Sequence, residues 1–165
     1  MPDPLFAKIL VPVDFSPCSE QAFCTAMRLA RQFQAGVVLM HVVDTRALDA
    51  LNALGLARPS EEAGQKKRLR HVARLQLRRL ERSDEAKGLG VTRVLAEGAP
   101  FVEIARIARR EKVDLVVIGS SGGQTGQVEK IFFGSTAEKV VRTAGCPVLC
   151  VPLADRLARP AKEAS

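Results

Sequence analysis

Two glycine-containing segments have the residue types needed to bind a phosphate. The first is Ile118-Gly119-Ser120-Ser121-Gly122-Gly123, and the second is Phe133-Gly134-Ser135-Thr136. Glycines let backbone amides approach a phosphate closely, and a Gly-Ser-Thr helix start presents N–H groups, two hydroxyls and the positive end of the helix dipole. Together the segments predict a cradle for a triphosphate. A glycine-rich turn followed by an ordinary serine cap is the alternative, because short glycine motifs often occur by chance.

An acidic residue follows the first apolar run of the chain, which reads Lys8-Ile9-Leu10-Val11-Pro12-Val13-Asp14-Phe15-Ser16-Pro17. A β-branched apolar run that stops at Asp, Ser and Pro predicts a buried strand that meets the start of a helix. Ser16 is then the helix cap, and Pro17 lies in the first turn. Asp14 stands at the junction, where it either contacts a ligand or simply favours the positive end of the helix dipole.

Apolar runs and helical periodicities alternate along the rest of the chain. Continuous apolar runs predict further strands at Val37–Val43, Val91–Ala96, Asp114–Ile118 and Pro147–Val151. Helical spacing predicts a helix over 22–33 that is closed by Gly36, and three further helices over Glu61–Lys87, Phe101–Arg110 and Ser135–Ala144. Between Asp44 and Ser60 we expect a variable loop that has room for a short helix. This order predicts an α/β fold, a five-stranded parallel sheet with helices on both faces.

Such a sheet also predicts where a ligand binds. Ligands lie beyond the carboxyl ends of the strands, at the point where the strand order reverses. The rule selects three segments: Asp14 after the first strand, His41–Asp44 at the end of the second, and the loop from Gly119 after the fourth.

Composition limits the class of protein. The 165 residues suit one domain, expected over 1–153 with a disordered tail at 154–165, and 47% apolar residues indicate a packed globule. No apolar run approaches the roughly 20 residues of a membrane span, and the first residues lack a secretory signal, so a cytoplasmic location is expected. The four cysteines contain no Cys-x-x-Cys pair and are interpreted as reduced, small hydrophobes rather than as a zinc site.

Charge and the known catalytic motifs narrow the function further. The net charge of +7 suits a polyanionic ligand. The sequence has no Walker lysine, no nucleophile elbow and no His–carboxylate pair at a recognisable spacing, so no motif indicates a dedicated enzyme. The most basic segment lies on the predicted long helix and comprises Lys66, Lys67, Arg68, Arg70, Arg74, Arg78, Arg79 and Arg82. Because no aromatic residues accompany these charges, a solvated helix face is the preferred interpretation, and neither a nucleic acid nor a membrane is expected as a partner.

Several segments are typical of one family. They are the opening Ile9–Ser16, His41–Asp44 after the second strand, Glu97-Gly98 before the third helix, and the closing Gly134–Arg142 and Cys146–Leu149. On these residues the chain resembles the universal stress protein family along Lys8 to Pro152. The resemblance implies a nucleotide-binding α/β architecture of the adenine nucleotide alpha hydrolase type and a homodimer formed along the last strand.

The resemblance also implies a binding site for ATP or a related adenine nucleotide, with or without magnesium, and a stress-response role exercised through an unknown protein partner. Pro12, Asp14 and Val42 match positions around adenine, Ile118 and Gly119 match positions near the base and ribose, and Ser121, Gly122, Gly134, Ser135 and Thr136 match positions around the phosphates. Asp14 would accept a hydrogen bond from the exocyclic amine.

Two departures from the family pattern keep other functions open. Eleven residues separate Gly122 from Gly134, two more than the nine of the nucleotide-binding pattern. Ser121 also stands where ATP-binding relatives often carry Arg or His, although Lys130 could replace that cation. The alternatives are a nucleotide-free stress-response dimer that acts by protein contacts alone, and a weak ATPase with at most slow hydrolysis.

Overall fold

The computed structural model describes residues 4–56, 58–121 and 133–153. Its core is a five-stranded, wholly parallel sheet in the order β3-β2-β1-β4-β5. The strands are β1 (Lys8–Pro12), β2 (Gly36–Val43), β3 (Val91–Glu97), β4 (Leu115–Gly119) and β5 (Val148–Val151). The helices are α1 (Pro17–Phe33), α2 (Arg46–Ala53), α3 (Pro59–Glu81), α4 (Pro100–Arg110) and α5 (Ser135–Thr143). The predicted fold class is confirmed.

Helices cover both faces of the sheet, because successive side chains of a strand point to opposite sides. Ile9 and Val11 of β1 face α1 and α3, whereas Leu10 between them faces α4 and α5. The first layer is completed by Ala22, Phe23, Met27, Ala30, Leu77 and Leu80, and the second by Ile104, Ile107, Ala108, Ala137 and Val140. Val, Ile, Leu and Ala therefore carry most of the packing, in a chain that has no Trp or Tyr and seven Phe.

The first helix begins as the sequence predicts but ends differently. Ser16 has an extended backbone and its hydroxyl accepts a hydrogen bond from the Ser19 N–H, while Pro17 is the first helical residue. The prediction that Gly36 closes the helix is wrong. Gln34 adopts the left-handed conformation at the helix end, with φ 54°, and Gly36 is already the first residue of β2.

The long helix was predicted over Glu61–Lys87, and both of these bounds are wrong. It starts at Pro59, which occupies the first turn, where a missing N–H costs nothing. It stops at Glu81, because Ser83 turns to an extended backbone and a short 3₁₀ helix follows at Asp84–Ala86. Serine competes with the helix for backbone hydrogen bonds and so favours helix ends.

The segment between Asp44 and Ser60 does contain a short helix, α2, none of whose residues is buried. No helix within the described residues is long and apolar enough to span a membrane. The predicted tail, 154–165, lies outside the described residues. All four cysteines are free; Cys18 is buried, and the other three are half-buried. Cys146 and Cys150 pack against the α4–α5 layer, and burial raises the pKa of both.

Candidate functional site

A cavity of about 760 Å³ opens at the carboxyl ends of the strands. It lies where the strand order reverses, since β1 pairs with β2 on one side and with β4 on the other. All three segments selected from the sequence meet there. Of the ten predicted site residues, Pro12, Asp14, Val42, Ile118, Gly119, Ser121, Gly134, Ser135 and Thr136 line this one cavity, and Gly122 lies outside the described residues.

Asp14 forms a local turn at the end of β1. Its Oδ1 accepts hydrogen bonds from the Ser16 N–H at 3.0 Å and from the Ser16 hydroxyl at 2.5 Å. Its own N–H donates to the Ser19 hydroxyl at 3.3 Å. The side chain is nonetheless exposed and lines the cavity. Asp14 therefore both fixes the junction between β1 and α1 and presents a carboxylate to the cavity.

A stacked pair of rings, which the sequence analysis did not identify, stands beside Asp14. Phe15 has a left-handed backbone, with φ 64°, and its ring stacks on His41 with a centroid distance of 4.5 Å and an interplanar angle of 29°. The His41 Nδ1 lies 2.7 Å from the Val13 carbonyl oxygen, which can only accept, so Nδ1 carries the hydrogen. Burial lowers the pKa of His41 despite this bond and the nearby Asp14 carboxylate. The ring is thus held neutral, with Nε2 as an acceptor.

Residues that line the cavity from α3 and α4 were also missed as site residues. Leu69 and Val72 are 42% and 55% exposed, yet both line the cavity together with Pro100 and Ile104. With Val42 they form a largely apolar wall. Helical periodicity alone does not distinguish a side chain packed in the core from one that lines a cavity.

The start of α5 contributes a polar wall. Gly134 is the cap residue and, having no side chain, makes no side-chain cap hydrogen bond. Its N–H donates to the Ser120 carbonyl oxygen at 2.7 Å, which joins α5 to the end of β4. The first amides of a helix have no partner within the helix. At the start of α1 the Ser16 hydroxyl accepts a hydrogen bond from one of these amides, whereas at the start of α5 no capping side chain does. The Ser135 and Thr136 hydroxyls lie at the same cavity wall.

Gly119 is a glycine for a structural reason. A Cβ at this position would lie 3.1 Å from the carbonyl carbon, the carbonyl oxygen and the sulfur of Cys18, closer than most real contacts. The end of β4 therefore packs directly against the first turn of α1. This contact makes the floor of the cavity part of the core.

Few charged side chains line the cavity. Asp44 pairs with Arg46 at 2.5 Å, and the hydrogen bond from this guanidinium lowers the pKa of Asp44. Arg68 of α3 is the one Lys or Arg among the described residues that line the cavity. Lys130, the cation proposed from the sequence to compensate for Ser121, lies outside the described residues. Within these residues no group of three or more His, Cys, Asp or Glu could hold a metal ion.

Comparison with known proteins gives a consistent relationship. The sequence matches the Universal stress protein family over residues 5–152. Universal stress protein MJ0531 of Methanocaldococcus jannaschii is 35% identical over 147 residues, which cover 89% of this chain and 82% of that protein. The solved structure of MJ0577, from the same organism, superimposes with a TM-score of 0.76 at 28% identity and covers 92% of this chain and 99% of its own.

A more distant structure shares the fold alone. It is the universal stress protein of Archaeoglobus fulgidus in complex with dAMP, with a TM-score of 0.55 at 23% identity, covering 89% of this chain and 98% of its own. The match of the family over nearly the whole described chain, together with the identity to MJ0531, fixes the relationship. The chain belongs to the universal stress protein family.

Proposed function

We propose that this protein binds ATP or a related adenine nucleotide in the cavity at the strand ends and acts as a regulator rather than as a dedicated enzyme. The observation that carries the proposal is the pairing of an apolar wall with an uncapped helix start inside one cavity. A nucleotide has the same division, a flat base at one end and anionic phosphates at the other. The volume of about 760 Å³ is also within the usual range of ligand sites.

The base would lie against the apolar wall. Val42, Leu69 and Val72 offer aliphatic surface to a flat ring, and their exposed area gives the base apolar surface to bury. Asp14 provides a hydrogen-bond acceptor suited to the exocyclic amine of adenine. Pro12 and Ile118 would complete the base site.

The phosphates would lie at the start of α5. Amides at a helix start and the positive end of the dipole bind anions, and the Ser135 and Thr136 hydroxyls add two donors. Arg68 would supply the cationic contact that Ser121 lacks.

Family membership supports the ligand class, and the dAMP complex of the A. fulgidus protein gives a case in which this fold holds an adenine nucleotide. We further propose a cytoplasmic homodimer formed along β5. In support, β5 is an edge strand of the sheet, and Leu149 on it is 38% exposed.

Two measurements test the nucleotide proposal. Protein purified without added nucleotide is denatured by heat, and the released small molecules are identified by mass. Melting temperatures are then recorded with ATP, AMP, cAMP and GTP at millimolar concentration. A thousandfold excess over the dissociation constant adds about 4 kcal/mol of stability, so a micromolar site gives a clear shift. A flat melting curve with every adenine nucleotide would refute the proposal and favour the nucleotide-free dimer.

A further inference from the structure

The basic segment comprises cations of α3 and its C-cap residue, Arg82. Arg68 lines the cavity, and the other seven fall into two groups, which the sequence does not separate. The first group forms ion pairs with neighbouring elements. Lys66 contacts Asp49 of α2 at 2.8 Å and Glu62 at 2.6 Å, and Arg70 contacts Glu97 of β3 at 2.7 Å. Arg79 pairs with Glu20 of α1. These cations therefore hold α3 in place against the fold.

The second group points away from the fold. Lys67, Arg74, Arg78 and Arg82 are exposed, and none has an ion pair or side-chain hydrogen bond within the described part of the chain. Spacings of seven, four and four residues place the four cations along one line of the helix surface, about 22 Å long. We call this line the basic face. Leu75, which is 50% exposed, lies beside it.

Among residues 4–56, 58–121 and 133–153 no acidic side chain pairs with the basic face. Between Lys67 and Arg82 the sequence has one acid, Glu81, and it pairs with Arg93 of β3 at 2.9 Å. The undescribed segments 122–132 and 154–165 contain at least as many Lys and Arg as Asp and Glu. A second copy that docked through its own basic face would bring like charges together. Like charges four residues apart also destabilise a helix slightly. The fold gains no ion pair from these four side chains.

We propose that the basic face docks an acidic helical segment of another protein. Four cations on a straight line match carboxylates at the same spacing on a second helix, and arginine binds carboxylates through two parallel hydrogen bonds. Leu75 offers an apolar contact that a helix can use and a phosphate backbone cannot. The face contains no Phe, Tyr or Trp on which bases could stack, and one leucine is too little apolar surface for insertion into a membrane.

The test uses a fluorescently labelled helical peptide with glutamates at these same spacings and one leucine among them. Its binding to the full chain is measured by anisotropy at low and at physiological salt. The combined variant Arg74→Gln, Arg78→Gln, Arg82→Gln removes three exposed ion pairs and weakens binding about tenfold. The matched control, Arg106→Gln, Arg110→Gln, Arg142→Gln, removes the same charge from α4 and α5 and leaves the affinity within about twofold.

Duplex DNA and vesicles that contain phosphatidylserine are measured in parallel. The proposal is overturned if the peptide does not bind, if the control variant weakens binding as much as the α3 variant, or if DNA or vesicles bind the basic face more tightly than the peptide. The nucleotide-dependent melting shift is recorded for the same variants. It stays unchanged, because none of the substituted residues lines the cavity.

Discussion

Substitution of Asp14 separates a structural role from a ligand-binding role. In Asp14→Ala the Ser16 N–H and hydroxyl lose their common acceptor, Oδ1, and the cavity loses its carboxylate. In Asp14→Asn the amide oxygen keeps the Oδ1 contacts, and an NH₂ group stands in place of Oδ2. An NH₂ group cannot accept a hydrogen bond from the amine of adenine. The two variants are therefore expected to differ in stability without ligand and to weaken nucleotide binding alike.

The expected magnitudes follow from these bonds. Each hydrogen bond contributes about 0.5–1.5 kcal/mol, so Asp14→Ala costs about 1–2 kcal/mol of unliganded stability at this exposed turn and lowers the melting temperature by several degrees. Asp14→Asn leaves the unliganded melting temperature within about 2 °C. Both variants weaken ATP binding by about 1–3 kcal/mol, roughly 5- to 150-fold in Kd.

Calorimetry with ATP and a thermal melt without ligand measure the two effects independently. Wild-type affinity in Asp14→Asn would remove this carboxylate from the nucleotide site. An unchanged unliganded melting temperature in Asp14→Ala would show that the turn does not depend on Oδ1.

Three further substitutions probe the cavity. Gly119→Ala forces a Cβ against Cys18 and lowers the free energy of unfolding by about 1–3 kcal/mol in urea melts. The control, Gly36→Ala, changes it little, because the nearest atom to the new Cβ is 3.9 Å away. Equal effects of the two substitutions would contradict the packing argument. Gly134→Val folds, because the backbone angles of Gly134, φ −62° and ψ 148°, suit a β-branched residue. The valine side chain obstructs the start of α5 and abolishes the ATP-dependent melting shift. A retained shift would place the phosphates elsewhere. The pKa of His41 is lowered in the folded state, so the unfolded state binds the proton more readily. The free energy of unfolding therefore keeps its full value above about pH 6.5 and falls as the pH drops below it. His41→Asn removes this dependence, and a wild-type pH profile in that variant would assign the effect to another group.

Much of the architecture could be predicted from local patterns. Apolar runs bounded by Asp, Ser and Gly gave the strands, and the helix start at Ser16 and Pro17 is a matter of neighbouring residues. Strand order then follows from a few rules, and the carboxyl-end rule brought Asp14, His41–Asp44 and Gly119 to one cavity.

What could not be predicted depends on contacts between distant segments. The stack of Phe15 on His41 requires β1 and β2 to be neighbours and Phe15 to adopt a backbone that its residue type rarely takes. The apolar wall from α3 depends on how that helix lies over β2 and β3. Gly119 was assigned to the ligand from its motif, but its contact with Cys18 is visible only in three dimensions.

Two adjoining parts of the cavity differ in how freely their residues can be replaced. At Gly119 the cavity floor and the hydrophobic core are the same atoms, so a substitution that reshapes the floor also disturbs the seat of α1. Ser121 and Ser135, which line the cavity next to this floor, are not among the core residues. Altered ligand preference, whether in evolution or in engineering, should therefore arise by replacing side chains at the α5 wall, while the floor is inherited unchanged.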